Sequence, residues 1–265
     1  KMSNSPLVSY TKISPNRNSP RNHAIDRITV HCVVGQCSVE TIGNVFAPTS
    51  RQASSNYGIG PDGRIGMYCE EKDRSWCSSS SDNDHRAVTI EVASDTAHPY
   101  AVKDAAYRAL LDLLTDICKR NGKKKLLWFG DKTKTLAYAP KSDEMVMTVH
   151  RWFANKSCPG QYLYDLHPEM AAEVTKRLGG GTASAPTTST AQTSSGSAAF
   201  KDYLVRVSVT DLNIRKGPGT NNAVAGVIKP GVYTIVAEST GQGATKWGKL
   251  KSGAGWISLD FCKKV

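Results

Sequence analysis

The chain has 265 residues, 39% of them apolar, which supplies a real core, excludes wholesale disorder and favours two domains over one. No run of 18 or more apolar residues occurs, which argues against a membrane-spanning helix. A formal charge of +11 and a pI near 9.3 draw the protein to polyanions, but charge alone does not separate nucleic acid, anionic membranes and acidic wall polymers, or a merely solvated basic surface.

Taken in chain order, residues 1–20 are polar and rich in Ser, Asn and Pro, without the apolar core of a secretory signal. Residues 27–34 (Arg-Ile-Thr-Val-His-Cys-Val-Val) predict a buried strand, and residues 86–93 another. Between them residues 57–68 predict a hairpin turned at Pro61-Asp62-Gly63. From 103 to 121, Tyr107, Leu110, Leu111, Leu114, Ile117 and Cys118 recur at helical spacing, and Gly122 supplies the stop. A last helix is predicted over 168–178, with Pro168 in its first turn and Gly179 beyond its end. Alternating elements imply an α/β unit, a mixed sheet flanked by helices.

Residues 179–199 contain only Gly, Thr, Ala, Ser, Pro and Gln, so they offer no large side chain to bury and predict a tether with an r.m.s. reach of roughly 25 Å. From Phe200 onward, short β-rich runs at 205–209, 232–236 and 256–259 are punctuated by Gly217-Pro218-Gly219 and Pro230-Gly231. That pattern predicts a small all-β barrel. Seven cysteines cannot all pair within the chain, and none stands in a C-x-x-C arrangement, so most are expected as buried thiols; Cys69 with Cys77 is the one disulfide worth considering.

Several residues carry chemistry. His31 interrupts an apolar strand and reads either as a hydrogen-bonded core residue or as a metal ligand. His150 and Cys158 are an imidazole and a potential thiolate eight residues apart, read either as a loop pair or as two further ligands, with Pro159 and Gly160 restricting the backbone behind the cysteine. Cys32 should face away from a metal held by His31, because successive strand residues face opposite sides. Glu91, between Ile90 and Val92, is costly to bury unless it is paired or poised for proton transfer. Lys156 reads as a solvated lysine or as a cation beside the site. His23, His85, His98 and His167 lie in polar or turn-like surroundings and read as surface or structural residues.

In this order, Ile28-Thr-Val-His31, the hairpin 55–65, Thr89-Ile-Glu-Val92 and the closing His150-(seven residues)-Cys158-Pro159-Gly160 with Lys156 resemble the N-acetylmuramoyl-L-alanine amidases. That family includes amidase-type phage lysozymes and animal peptidoglycan recognition proteins, and the resemblance runs from about residue 26 to 178. It implies Zn²⁺ held by His31, His150 and Cys158, with Glu91 as general base and Lys156 stabilising the tetrahedral oxyanion. The bond cut would join the lactyl group of N-acetylmuramic acid to L-alanine of the stem peptide. Two positions depart from the pattern. Ser55 stands where phage lysozyme-type members carry a catalytic tyrosine, so no role passes to Tyr57. Trp76-Cys77 stands where many members have Trp-His.

The C-terminal unit resembles bacterial Src-homology-3-like domains, through residues 212–220, 228–231, 246–250 and 255–257. Such domains commonly bind peptidoglycan peptides or cross-bridges; Trp247 and Trp256 read as core or as ligand-stacking residues. Residues 200–265 carry a net +6 and the rest of the chain +5, so the smaller unit is the more densely basic. The expected organisation is a zinc amidase domain at 1–178, a linker at 179–199 and a wall-binding domain at 200–265. The expected partner is peptidoglycan and not nucleic acid. Without a signal sequence the expectation is a phage or prophage endolysin made in the host cytoplasm and acting at the wall. A bacterial autolysin, or a recognition protein that binds peptidoglycan without cutting it, is the alternative.

Overall fold

The computed structural model describes residues 3–179, 200, 202–210 and 212–265. The chain divides into two compact units at about residue 187. The expected tether lies, from residue 180 on, outside the described residues.

The first unit is built on a seven-stranded mixed sheet with strands in the order Tyr10–Thr11, Ile65–Met67, Tyr57–Ile59, Ala87–Val92, Arg27–Cys32, Glu144–Thr148 and Lys125–Leu127. The strands from Tyr57–Ile59 to Lys125–Leu127 run parallel. Tyr57–Ile59 and Ile65–Met67 form the predicted antiparallel hairpin, and Gly63 takes the left-handed conformation (φ +86°) at its turn. The predicted strands at 27–34 and 86–93 are present with slightly shorter bounds.

One apolar cluster holds the unit together. Ile28, Val30, Val88, Ile90, Val92, Met145 and Met147 meet Leu110, Leu113, Leu114 and Ile117 of the helix Asp104–Arg120, and Leu163, Met170 and Val174 of the helix Gly160–Arg177. Each fully buried side chain of this size stabilises the fold by roughly 1.5–3 kcal/mol relative to exposure. The helix Asp104–Arg120 matches its predicted span.

The last helix does not begin at Pro168. It starts at Gly160 and carries Pro168 within it. A proline there removes one intrahelical hydrogen bond and costs about 3 kcal/mol. Burial of Leu163, Leu166 and Met170 on either side of it exceeds that cost. The helices Ser81–Arg86 and Lys132–Ala137 and the edge strand Lys125–Leu127 escaped the sequence reading, being too short to display a period, and so did the helix Val39–Phe46, although Val39, Ile42 and Phe46 stand at helical spacing behind the cap Ser38.

The second unit is all β: a seven-stranded sheet in the order Val224–Ile228, Leu212–Arg215, Trp256–Ser258, Ala244–Leu250, Gly231–Gly241, Tyr203–Val207 and Cys262–Lys264. Every pairing in it is antiparallel. Its core is Val205, Val207, Leu212, Ile228, Ile235, Leu250 and Ile257, with Trp247 also buried and Trp256 half-buried. All seven cysteines are free thiols, so Cys69 and Cys77 are not bridged. Among the described residues, no helix is long and apolar enough to cross a membrane.

Candidate active site

Strand alternation explains how polar chemistry reaches the middle of a buried sheet. Along Arg27–Cys32, Ile28, Val30 and Cys32 join the apolar cluster, which turns Thr29 and His31 to the opposite face. Along Ala87–Val92, Val88, Ile90 and Val92 do the same and turn out Thr89 and Glu91. The two strands are parallel neighbours with His31 opposite Glu91, so imidazole and carboxylate emerge side by side. On the other flank Thr29 pairs with Thr148, which brings His150, two residues on, level with His31. Below them Asn83 donates to Thr29 Oγ1 (2.9 Å) and accepts from Thr148 Oγ1 (3.0 Å), and the two threonine hydroxyls lie 2.7 Å apart. This buried polar layer satisfies itself and supports the site from beneath.

The chain returns from His150 to Cys158 through a tight loop. Arg151 donates its backbone N–H to Cys158 O (3.1 Å) and a guanidinium N–H to Ser157 O (2.7 Å). Gly160 has φ +81°, and a Cβ there would lie 2.7 Å from Tyr100 Cβ, so the position excludes any side chain.

Three sequence-predicted ligands therefore converge. One donor atom from each of His31, His150 and Cys158 lies within 4.8 Å of the other two. Cys158 Sγ is 3.2 Å from His31 Nδ1, and the two imidazole centroids are 5.1 Å apart. A second group, His31, Cys77 and Glu91, meets the same 4.8 Å limit, and the Cys77 thiol donates to Glu91 Oε1 at 3.8 Å. Cys32 faces the apolar cluster as expected.

The electrostatics suit metal binding. Burial, reinforced by His150, holds His31 well below the usual imidazole value, and burial with Lys156 lowers His150, so both rings are neutral at pH 7 with lone pairs to give. Burial pushes the Cys158 thiol well up, so a thiolate there needs a cation beside it. Two neutral imidazoles and a thiol, with His150 on the wall of an open cleft, fit a four-coordinate Zn²⁺ with one position left for substrate or water. His31 Nε2 and Glu91 Oε2 are both sealed from solvent and have no hydrogen-bond partner. Burial lifts Glu91 to about 7, against the opposing pull of Cys77 and Arg51, which poises it to exchange protons near neutrality.

His150 and Glu91 open onto a cleft of about 440 Å³, whose wall also includes Phe46, Arg51, Arg74, Trp76, Cys77, Ser79 and Lys156. Lys156 is exposed and shares the cleft with Glu91 and His150. Of the five sequence-predicted residues, Glu91, His150 and Lys156 line this cleft, while His31 and Cys158 lie against His150 with donor atoms within 4.8 Å. Tyr57 stays out of it: its ring is fully buried and its hydroxyl donates to Glu71 Oε1 at 2.7 Å. His167, read as a surface or structural residue, is fully buried beneath Trp128, with ring centroids 4.5 Å apart.

Sequence reasoning missed Arg51, Arg74 and Ser79. Ser79 belongs to the run Ser78-Ser-Ser-Ser81, which carries no spacing signal beyond the cap Ser80 provides to the helix Ser81–Arg86.

No curated protein matches this chain. Among solved structures, the chain is similar to an N-acetylmuramoyl-L-alanine amidase, LysC, from Clostridium intestinale (15% identity, 68% of this chain and 99% of that one, TM-score 0.43). It is similar also to the endolysin of the Thermus scotoductus bacteriophage Ph2119 (15%, 58% and 89%, TM-score 0.39) and to Drosophila peptidoglycan recognition protein SA (15%, 60% and 90%, TM-score 0.44). The N-acetylmuramoyl-L-alanine amidase family model matches residues 21–161, a span that contains His31, Glu91, His150, Lys156 and Cys158. The chain belongs to the N-acetylmuramoyl-L-alanine amidase family.

Proposed function

We propose that this protein is a zinc-dependent amidase that hydrolyses the bond between the lactyl group of N-acetylmuramic acid and L-alanine of the peptidoglycan stem. The observation that carries the reading is the convergence of His31, His150 and Cys158 beside a buried carboxylate at the edge of a cleft. Zn²⁺, when bound by these three, supplies a Lewis acid that polarises the scissile carbonyl.

The other steps fall to the chain's own residues. Glu91, poised near neutrality, takes a proton from the attacking water as its oxygen bonds to the carbonyl carbon. It returns that proton to the alanine nitrogen as the C–N bond breaks, leaving a lactyl carboxylic acid and a free amine. The Lys156 ammonium faces the same cavity and offsets the negative charge that develops on the carbonyl oxygen.

In the same reading the second unit is a Src-homology-3-like wall-binding domain, tethered to the catalytic domain through residues 179–199. Its net +6 suits an anionic wall, and a flexible link raises local substrate concentration without imposing an orientation. An amidase joined to such a module suits an endolysin that meets the wall from the host cytoplasm.

Digestion of purified Gram-positive peptidoglycan, with mass spectrometry of the products, tests the reading. Stem peptides with a new N-terminal L-alanine, lost on chelation and restored by Zn²⁺, are expected. Wall binding without new amino termini would make the protein a recognition protein instead.

A further inference from the structure

We infer that Ser79 is a positioning residue for His150, and that its loop is held in place for that purpose by Asp84. The inference rests on the zinc-amidase reading. Ser79 Oγ lies 2.9 Å from His150 Nε2. A histidine that ligates through one ring nitrogen needs the other occupied, because the second hydrogen bond fixes both tautomer and ring orientation. With Nε2–H donating to Ser79, the lone pair is confined to Nδ1, and the ring cannot rotate without breaking the contact. His31 has no such partner: its Nε2 is sealed and unpaired, and its orientation comes from burial within the strand. His150 sits in a one-turn 3-10 segment and is half-buried, so packing constrains it less and a hydrogen bond matters more.

The loop is shaped to make this contact. Ser79 has φ +60°, a left-handed conformation that costs a non-glycine residue about 1 kcal/mol or more. What holds it there is the buried Asp84 carboxylate, which accepts the backbone N–H of Cys77 (3.0 Å) and of Ser78 (3.1 Å) as well as the Ser78 hydroxyl. Three bonds from one carboxylate clamp the residues preceding Ser79. The hydrogen bonds of Ser80, the helix cap, clamp the residue that follows. A serine kept in a strained conformation between two anchors, with its hydroxyl on a candidate ligand, has a use for that hydroxyl.

The test separates the hydroxyl from the backbone. Glycine accepts φ +60° without strain, so Ser79→Gly should melt no lower than wild type yet bind Zn²⁺ about 10–100-fold more weakly in competition with a chromophoric chelator. Ser79→Asn tolerates the same backbone and offers a carbonyl acceptor, so it should recover most of that affinity. With Co²⁺ in place of Zn²⁺, the visible spectrum of Ser79→Gly should shift from wild type and that of Ser79→Asn should lie closer to it. Zn²⁺ affinity and Co²⁺ spectrum unchanged in Ser79→Gly would overturn the inference. Cys158→Ala serves as the control: if wild type binds no Zn²⁺, or Cys158→Ala binds it equally well, the zinc-amidase reading itself fails. If Cys158→Ala loses the metal while Ser79→Gly keeps it, only the role of Ser79 falls.

Discussion

The two units of this chain bury different things. Among the described residues the first unit sequesters His31, Glu71, Asp73, Asp84, Glu144 and His167 together with a layer of threonines and asparagines, whereas the second buries one polar residue, Ser258, beneath an aliphatic core. Buried polar groups add little net stability and specify where chemistry happens. The first unit therefore carries the titrating and metal-capable groups, and the second is a scaffold whose charge lies outside. The contrast teaches that the two should answer differently to metal, acid and deletion.

The largest effect is expected from the ligands. His150→Ala or Cys158→Ala should abolish Zn²⁺ retention and lower amidase turnover by on the order of 10³ or more. Metal analysis and product release check both, and full activity in either variant removes that residue from the ligand set. Glu91→Gln should leave Zn²⁺ in place and slow turnover by roughly 10²–10⁴. A wild-type rate with this variant would leave Glu91 a structural role alone.

Acid should separate the units next. Burial lowers His167 to about 4 from an ordinary 6.5. Between these values the unfolded chain binds the proton and the folded one does not, so stability is fully present above about 6.5 and falls as pH drops toward 4. From pH 7 to pH 5 this group alone should cost the first unit about 2 kcal/mol. Urea titrations at both pH values should reveal a smaller pH response in His167→Gln than in wild type, with the transition of the second unit unaffected by the substitution. An identical pH response in the variant would refute the assignment. The smallest effect is expected from deleting residues 188–265, which should weaken binding to intact walls by about tenfold or more while leaving turnover on soluble muropeptides near wild type. Unchanged sedimentation with sacculi would deny the second unit a targeting role.

Much of the site could be read in the sequence because its residues violate their surroundings. A histidine inside Ile-Thr-Val-His and a glutamate inside Thr-Ile-Glu-Val stand out against a strand pattern, and His150, Lys156 and Cys158 stand at a recognisable spacing. Ser79 and Asp84 violate nothing, since serine and aspartate are ordinary in a polar loop and a helix start. Pro168 misled for the opposite reason: its local preference for a helix start was overridden by the burial of Leu163 and Leu166 before it.

The sequence by itself determined the β and α periods of the first unit, the β character of the second, the low-complexity break between them and the five candidate residues proposed to carry the chemistry. Tertiary structure alone decided that His31 and Glu91 are neighbours, because strand register is a property of pairing and not of either strand. It also decided that Glu91 titrates near neutrality and that His150 is met by a serine 71 residues away. Desolvation and long-range hydrogen bonds depend on what surrounds a side chain, and that is settled only when the strands have packed.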